Sequence, residues 1–113
     1  MTSQAGIVIA RAEIAVAMAD AGIDAAHIEE IEVVADELLS RAIDAGVTPV
    51  RLFLEPHDET TTVLVRCERY VDLTVEPEEL REHLLQSLTV DRGQRRNAYG
   101  TTDLWAEVKR TRA

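Results

Sequence analysis

The longest regular pattern of apolar residues lies between residues 25 and 45. Apolar side chains recur there at spacings of three and four residues, namely Ile28, Ile31, Ala35, Leu38 and Ala42. This spacing predicts an α-helix with one apolar face, and acidic residues such as Glu29 lie off that face. Asp24 is a suitable N-cap for this helix, and Gly46 is a suitable residue to end it.

Two further helices are predicted, one before residues 25–45 in the chain and one after them. Residues 8–21 are rich in alanine and end at Gly22, a residue type that commonly stops a helix. Their apolar stripe consists of Ile14, Met18 and Ala21. Pro77, followed by two glutamates, is a favourable helix start. The apolar face of that third helix consists of Leu80, Leu84 and Leu88.

Alternation of apolar and polar residues predicts three strands. The stretches 50–55 and 61–68 alternate with a period of two, and the turn-forming residues 56–59 between them predict an antiparallel hairpin. Residues 102–109 alternate in the same way and predict a closing strand. The polar residues 91–100 are expected to form a loop.

These elements predict an α+β fold in a single domain, residues 1–113. A mostly antiparallel sheet of three or four strands would carry about three helices packed on one face. The other face would expose Phe53, Leu64 and Trp105, which makes it a candidate surface for a protein partner or a second copy. There are two alternatives. These side chains are scattered over the surface, or the assignment of strand residues to the two faces of the sheet is wrong by one residue.

Charge is distributed unevenly along the chain. The net charge is −9, but residues 1–91 hold 6 basic and 19 acidic side chains, whereas residues 92–113 hold 6 basic and 2 acidic ones. Binding to nucleic-acid phosphates needs a basic surface, so the acidic body disfavours direct DNA binding. It suits a basic protein partner, although an acidic surface also serves solubility alone.

Three features bear on the location of the protein. No apolar stretch approaches the roughly 18 residues that span a bilayer. The N-terminus lacks the basic segment and long apolar run of a secretory signal. A single cysteine, Cys67, cannot form an internal disulfide. We therefore expect a cytoplasmic protein that does not associate with membranes.

Two stretches resemble the ATP-binding domain of bacterial anti-sigma-factor serine kinases, which belong to the GHKL superfamily of ATPases. In the first, Glu-Leu-Leu-Ser-Arg-Ala at 37–42 stands where the family has Glu-Leu-x-x-Asn-Ala, and Ala-Gly-Ile-Asp at 21–24 precedes it. The second, Gly-Thr-Thr-Asp-Leu-Trp-Ala-Glu-Val at 100–108, is similar to the family's closing strand, which often ends Trp-Ala-Glu-Leu. Together the matches cover roughly half of the chain and imply a truncated GHKL-like fold.

The first stretch departs from the family at its metal-binding position. The resemblance implies that Glu37 acts as a base or orients water, and that an asparagine four residues on binds Mg²⁺. A spacing of four puts both residues on one side of the helix, but here the second residue is Arg41. A guanidinium is cationic and offers no lone pair, so it cannot bind Mg²⁺, although it can contact phosphate.

The family's other nucleotide-binding motifs have weak counterparts or none. The Asp-x-Gly-x-Gly turn that binds adenine is replaced by Arg-Cys-Glu-Arg-Tyr-Val-Asp at 66–72, which contains no glycine. The glycine-rich lid has remnants only in residues 91–93 and at Gly100. ATP and Mg²⁺ are therefore not expected as cofactors, and no catalytic residue is assigned. If a nucleotide does bind, the candidate residues are Glu37, Arg41, Glu68, Arg92, Gly93, Gly100 and Thr101.

Other residue types give no evidence of a reactive centre. No Cys/His pair has zinc-ligand spacing, so no metal site is predicted. The three histidines are expected at the surface, and Cys67 is expected to be a small buried apolar residue. The arginines of residues 92–96 form a basic stretch that either binds an anion or is simply a solvated loop.

Our preferred hypothesis is a non-catalytic regulatory domain that binds another protein. The resemblance implies a sigma factor or an anti-sigma-factor antagonist as that partner. The contact surfaces would be the acidic helices and the sheet face with Phe53, Leu64 and Trp105. One alternative is a divergent ATP-dependent serine/threonine protein kinase that uses Glu37. Another is a structural domain that forms a homodimer through its sheet face.

Overall fold

The computed structural model describes residues 14, 16–70 and 79–110, with only the backbone described at 79–81. This part of the chain is an α+β fold with three helices and a four-stranded antiparallel sheet, which confirms the predicted class. The strand order is β1-β2-β4-β3, and the helices pack on one face. In chain order the elements are α1 (described at 14 and 16–20), α2 (Ala25–Asp44), β1 (Pro49–Pro56), β2 (Thr60–Cys67), α3 (Glu79–Leu88), β3 (Thr89–Arg96) and β4 (Thr102–Lys109).

Helix α2 supplies the main apolar layer over the sheet. All five residues of its predicted stripe are buried, as are Val34 and Leu39. Asp24 occupies the N-cap position, but its side chain makes no capping hydrogen bond. At the other end Gly46 adopts a φ of 75°, and the Val47 N–H then bonds back to the Ala42 carbonyl at 2.9 Å. A positive φ is easily adopted by glycine, which is why the helix ends there.

The two central strands, β2 and β4, present alternate residues to the helices. The buried side chains on this side are Thr61, Val63, Val65, Cys67, Thr102, Leu104, Ala106 and Val108. This alternation confirms the predicted faces of both strands. Cys67 is buried as expected, and burial raises the pKa of its thiol, as do the nearby carboxylates of Asp103 and Glu68.

Strand β3 corrects the prediction of a loop at residues 91–100. Residues 89–96 pair with β4 from Thr89 opposite Val108 to Arg96 opposite Thr102. Most side chains of β3 are exposed, because it is an edge strand covered only at its start. Backbone hydrogen bonds to β4 hold such a strand without any apolar alternation in its sequence, and for that reason the pattern did not reveal it.

The apolar face of α3 is also offset from the prediction. Leu84, expected to face the core, is 44% exposed, whereas its neighbour Leu85 is fully buried. Leu88 packs at the edge of the core as expected. The helix contacts α2 and β3 together, and this two-sided packing decides which leucine points inward. The Leu80 side chain and the predicted start at Pro77 lie outside the described residues.

One histidine contradicts the expectation of surface positions. His27 is 2% exposed, and its Nε2 is hydrogen-bonded to Thr61 Oγ1 at 2.8 Å, which ties the start of α2 to the start of β2. Burial lowers the pKa of His27 below 6.5, and the charge of Arg110 acts in the same direction. The carboxylates of Glu30 and Asp24 raise it, but they do not outweigh burial.

This buried histidine predicts a loss of stability in mild acid. The unfolded chain has the ordinary histidine pKa of 6.5, so below that pH it binds more protons than the folded chain. The free energy of unfolding should therefore fall as the pH drops through 6.5, by up to about 1.4 kcal/mol per pH unit. Urea unfolding followed by circular dichroism at about pH 7.5 and about pH 5.5 measures this change.

His27→Gln provides the comparison for that experiment, because glutamine keeps a polar side chain but does not titrate. The variant should be less stable near neutral pH and lose less stability on acidification. An equal loss in both proteins would mean that other groups cause the pH dependence.

Candidate functional site

Two of the sequence-predicted nucleotide residues, Glu37 and Arg41, lie one turn apart on α2 and form an ion pair. Arg41 Nε is 3.5 Å from Glu37 Oε1, and Arg41 Nη2 donates to Glu82 Oε2 at 3.0 Å. Glu82, on α3, also pairs with Arg92 of β3 through its other oxygen. These four residues form what we call the ion-pair network, which joins α2, α3 and β3.

The ion-pair network is partly buried and balanced in charge. Glu37 is only 11% exposed, and the three other side chains are between 23% and 28% exposed. Burial lowers the pKa of Arg92, and the positive charge of Arg41 lowers it further. The two guanidinium groups therefore repel each other, and the carboxylate of Glu82 between them holds them together. Each guanidinium group thus already has a carboxylate partner, with which an anionic ligand would have to compete.

Gly93 and Glu68, two other candidate nucleotide residues, lie elsewhere. Gly93 follows Arg92 in β3, and successive residues of a strand point to opposite faces, so Gly93 lies on the side without helices. Glu68 follows β2, and its Oε1 accepts a hydrogen bond from the Thr48 N–H at 3.2 Å. The structure therefore does not bring these two residues to Glu37 and Arg41.

Gly100 and Thr101 belong to the turn between β3 and β4, which Asn97 organises. The Asn97 side-chain oxygen accepts hydrogen bonds from the N–H groups of Tyr99 and Thr101 at 2.9 and 3.2 Å. Its Nδ2 donates to Thr101 Oγ1 at 2.6 Å. Gly100 has a φ of 78°, the left-handed conformation that this turn requires. Both residues thus have a structural role in the turn.

The side of the sheet that no described helix covers, here called the open face, carries an apolar row across all four strands. Phe53 lies opposite Leu64, Leu64 opposite Trp105, and Trp105 opposite Gly93. The structure therefore places the three predicted partner-binding residues side by side. Phe53 is 37% exposed, and Leu64 and Trp105 are half-buried. The Trp105 indole lies against Gly93, where a Cβ atom would be 3.1 Å from its Cζ2.

A carboxylate lies buried on the open face beside the apolar row. Asp103 is fully buried, and its carboxylate accepts hydrogen bonds from Arg66 Nε at 3.1 Å and Asn97 Nδ2 at 2.9 Å. It also forms an ion pair with Arg95, whose Nε is 3.5 Å away. Burial by itself would raise the pKa of Asp103. The hydrogen bonds from Arg66 and Asn97 and the charges of both arginines outweigh burial, so the pKa of Asp103 lies below its ordinary value.

Arg66 is held by aromatic rings as well as by Asp103. Its guanidinium carbon is 5.1 Å from the centre of the Phe53 ring and 5.4 Å from that of the Tyr99 ring. The hydrogen bond to Asp103 raises the pKa of Arg66, so the group stays charged. Such stacking orients a guanidinium and keeps part of it accessible. This end of the open face therefore presents a fixed positive charge.

The basic stretch at residues 92–96 is divided between different contacts. Arg92 belongs to the ion-pair network, Arg95 approaches Asp103, and the Arg96 guanidinium lies 4.8 Å from the centre of the Tyr70 ring. The expectation of a loop of clustered positive charge is therefore wrong, because β3 directs alternate side chains to opposite faces.

Sequence reasoning did not single out Glu82, Asp103 or Asn97. The one available signal was the position of Asp103 in the closing strand, in the set of residues expected to face away from the helices. The partners of these residues are separated by 41, 37 and 6 positions in the chain, so only the fold shows most of them.

Searches for a metal centre and for relatives supply no further functional evidence. Among the described residues, no group of three or more His, Cys, Asp and Glu side chains could hold a metal ion. No helix of the described part is both long enough and apolar enough to cross a membrane. Comparison of the chain with models of protein families and with curated proteins gives no match. A function must therefore be argued from the residues and their geometry.

Removing the central carboxylate of the ion-pair network should destabilise the fold. In Glu82→Gln, Arg92 would lose its carboxylate partner and Arg41 would keep only Glu37, so two guanidinium groups would share one counter-charge in a partly buried site. We expect the free energy of unfolding to fall by about 1–3 kcal/mol in urea titrations. Glu29→Gln is the matched control, because it removes the same charge from an exposed position of α2 and should cost less than about 0.5 kcal/mol. Equal stability of the two variants would contradict a structural role for the network.

A methyl group at position 93 should displace the indole of Trp105. In Gly93→Ala the new Cβ would approach Cζ2 at 3.1 Å and Cε2 at 3.3 Å, so the ring must shift outward by a few tenths of an ångström. The chain has one tryptophan, so its fluorescence reports this change directly. We expect emission to move to longer wavelength as the ring becomes more exposed. Gln94→Ala, one residue on and facing the other side of the sheet, should leave the emission unchanged.

Proposed function

We propose that this chain is a non-catalytic regulatory domain that binds another protein in the cytoplasm. The resemblance to anti-sigma-factor kinases supports a sigma factor or an anti-sigma-factor antagonist as the partner. Two observations support the proposal. One is the ion-pair network around Glu37, and the other is the presence of an apolar and an acidic surface that suit a protein partner.

The ion-pair network is the observation that carries the non-catalytic part of the proposal. In the family that the chain resembles, the glutamate at the position of Glu37 works beside an asparagine that binds Mg²⁺. Here the corresponding side chain is Arg41, and it is engaged by Glu37 and Glu82. A positive charge at this position repels a metal ion, and its two carboxylate partners would repel a triphosphate. The local charges thus oppose Mg-ATP.

Two surfaces are suited to a protein partner. The open face offers the apolar row of Phe53, Leu64 and Trp105, and aromatic residues of this kind commonly anchor interfaces. On the other side of the molecule, α2 carries exposed or half-exposed acidic residues off its apolar stripe, among them Glu29 and Glu32. An acidic helix surface attracts a basic protein segment and accelerates its approach.

One residue supports the alternative function, a divergent protein kinase. Glu37 lies at the helical position that the resemblance assigns to catalysis. A kinase would have to open the ion-pair network, bind ATP and Mg²⁺ beside Glu37, and do so without the family's glycine-rich motifs. The two functions therefore differ in one measurable property, which is affinity for Mg-ATP.

Isothermal titration calorimetry with Mg-ATP decides between the two functions. We expect no saturable heat up to about millimolar nucleotide, since the site repels both the metal and the phosphates. Micromolar binding that is lost in Glu37→Ala would instead support the kinase. Adenosine serves as a control for nucleoside binding that does not involve the phosphates.

The protein-binding part of the proposal needs a separate experiment. Tagged wild-type chain would be used to capture partners from the native host, and the captured proteins would be identified by mass spectrometry. A sigma factor or an antagonist of an anti-sigma factor should be captured by the wild type. The paired variants Glu29→Lys/Glu32→Lys and Leu64→Asp show whether the acidic helix or the open face binds it. Recovery of neither class above a tag-only control would contradict the proposal.

A further inference from the structure

The open face carries three parallel rows of side chains that differ in charge. The apolar row crosses the middle of the sheet. A basic row with a net charge of +2 lies two residues away from the apolar row along each strand. It is formed by Arg51, Arg66, Asp103 and Arg95. An acidic row with a net charge of −3 lies two residues from the apolar row on its other side. It is formed by Glu55, Thr62, Glu107 and Asp91. The face is therefore polarised along the strands and apolar at its centre.

This arrangement is complementary to its own inverted copy. A two-fold axis that runs along the apolar row reverses the strand direction and turns the face over. The apolar row then meets the apolar row, and each basic row meets the partner's acidic row. An axis parallel to the strands would instead place basic on basic and acidic on acidic, which electrostatic repulsion disfavours.

We propose that the open face binds a second copy of this chain in the first of these two orientations. The proposal rests on the proposed function only in treating the open face as a protein-binding surface. Charge complementarity is the reason for choosing a second copy, because the two rows carry opposite net charges and both edge strands place a basic residue opposite an acidic one. On β4 the carboxylate of Asp103 lies opposite that of the partner's Glu107, and Arg66 and Arg95 offset the charge of Asp103. Each closed two-fold dimer of this kind uses the same patch on both protomers.

The orientation predicts particular pairs across the interface. Each strand lies over its own copy, so positions equally distant from the apolar row face each other. Arg51 lies opposite the partner's Glu55, and Arg95 lies opposite the partner's Asp91. By symmetry each pair occurs twice. The two pairs lie on the edge strands β1 and β3, where they form the rim of the interface around the apolar centre.

The size of the face indicates how strong the dimer should be. Four strands of eight residues cover about 19 by 26 Å, or roughly 500 Å² per protomer. The total of about 1,000 Å² is at the low end of specific interfaces. We therefore expect a dimer with a dissociation constant in the micromolar range. Its two α2 helices lie on the outer sides, so both acidic surfaces stay available to other partners.

The test is a charge reversal and its restoration within one chain. Arg51 and Glu55 are both exposed, so their substitution should leave the fold intact, which thermal unfolding followed by circular dichroism checks. Sedimentation velocity of the wild type from about 1 to about 200 µM should show a monomer–dimer equilibrium. Arg51→Glu and Glu55→Arg should each raise the dissociation constant at least about tenfold. The double variant R51E/E55R should return it to within about threefold of the wild type.

Three outcomes would overturn the proposal. A wild type that stays monomeric at about 200 µM would exclude the proposed self-association of the open face, while the capture experiment would still decide the regulatory function on its own. A dimer insensitive to both single variants would place the interface elsewhere. Loss in the single variants without restoration in the double would exclude the inverted orientation. Glu29→Arg, on the opposite side of the molecule, is the control and should not change the dissociation constant.

Discussion

Burial of the apolar face of α2 against β2 and β4 is the interaction on which the rest of the structure depends. Ile31, Val34 and Ala35 of the helix and Val63 and Ala106 of the strands are all fully buried. The small alanines allow the helix to lie close to the sheet, and dense packing of this kind is the main source of stability in a domain of this size. Helices α2 and α3 lie on one face, and no element of the described residues covers the other face of the sheet.

The helix-covered side also explains why an ion-pair network exists at all. Packing brings α2, α3 and β3 together with charged residues at their contact, and a partly buried charge is costly unless it has a partner. Glu82 pairs with Arg41 and Arg92 at once, so one carboxylate serves two partly buried guanidinium groups. The charged residues at the junction of the three elements are thus held by one another.

The open face illustrates the opposite situation, in which side chains make defined contacts although no helix or strand of the described part of the chain covers them. Asp103 orients Arg66 and Arg95, and Asn97 links that cluster to the turn between β3 and β4. The Trp105 indole occupies the space beside Gly93 that a side chain would fill. The face is therefore a preformed, polarised surface, and a preformed surface loses little conformational entropy when it binds a partner.

Local periodicity by itself determined helix α2, the β1–β2 hairpin and strand β4, because each carries its apolar residues at the spacing of its own structure. It also placed Glu37 and Arg41 one turn apart, and put Phe53, Leu64 and Trp105 on one face. The tertiary structure alone decided the remainder. Strand β3 exists because β4 offers it backbone partners, Leu85 rather than Leu84 is buried because α3 packs on two elements, and His27 is buried because Thr61 lies beneath it. Glu82 reaches Arg41 across 41 positions of the chain, and a local pattern holds no information about contacts at that separation.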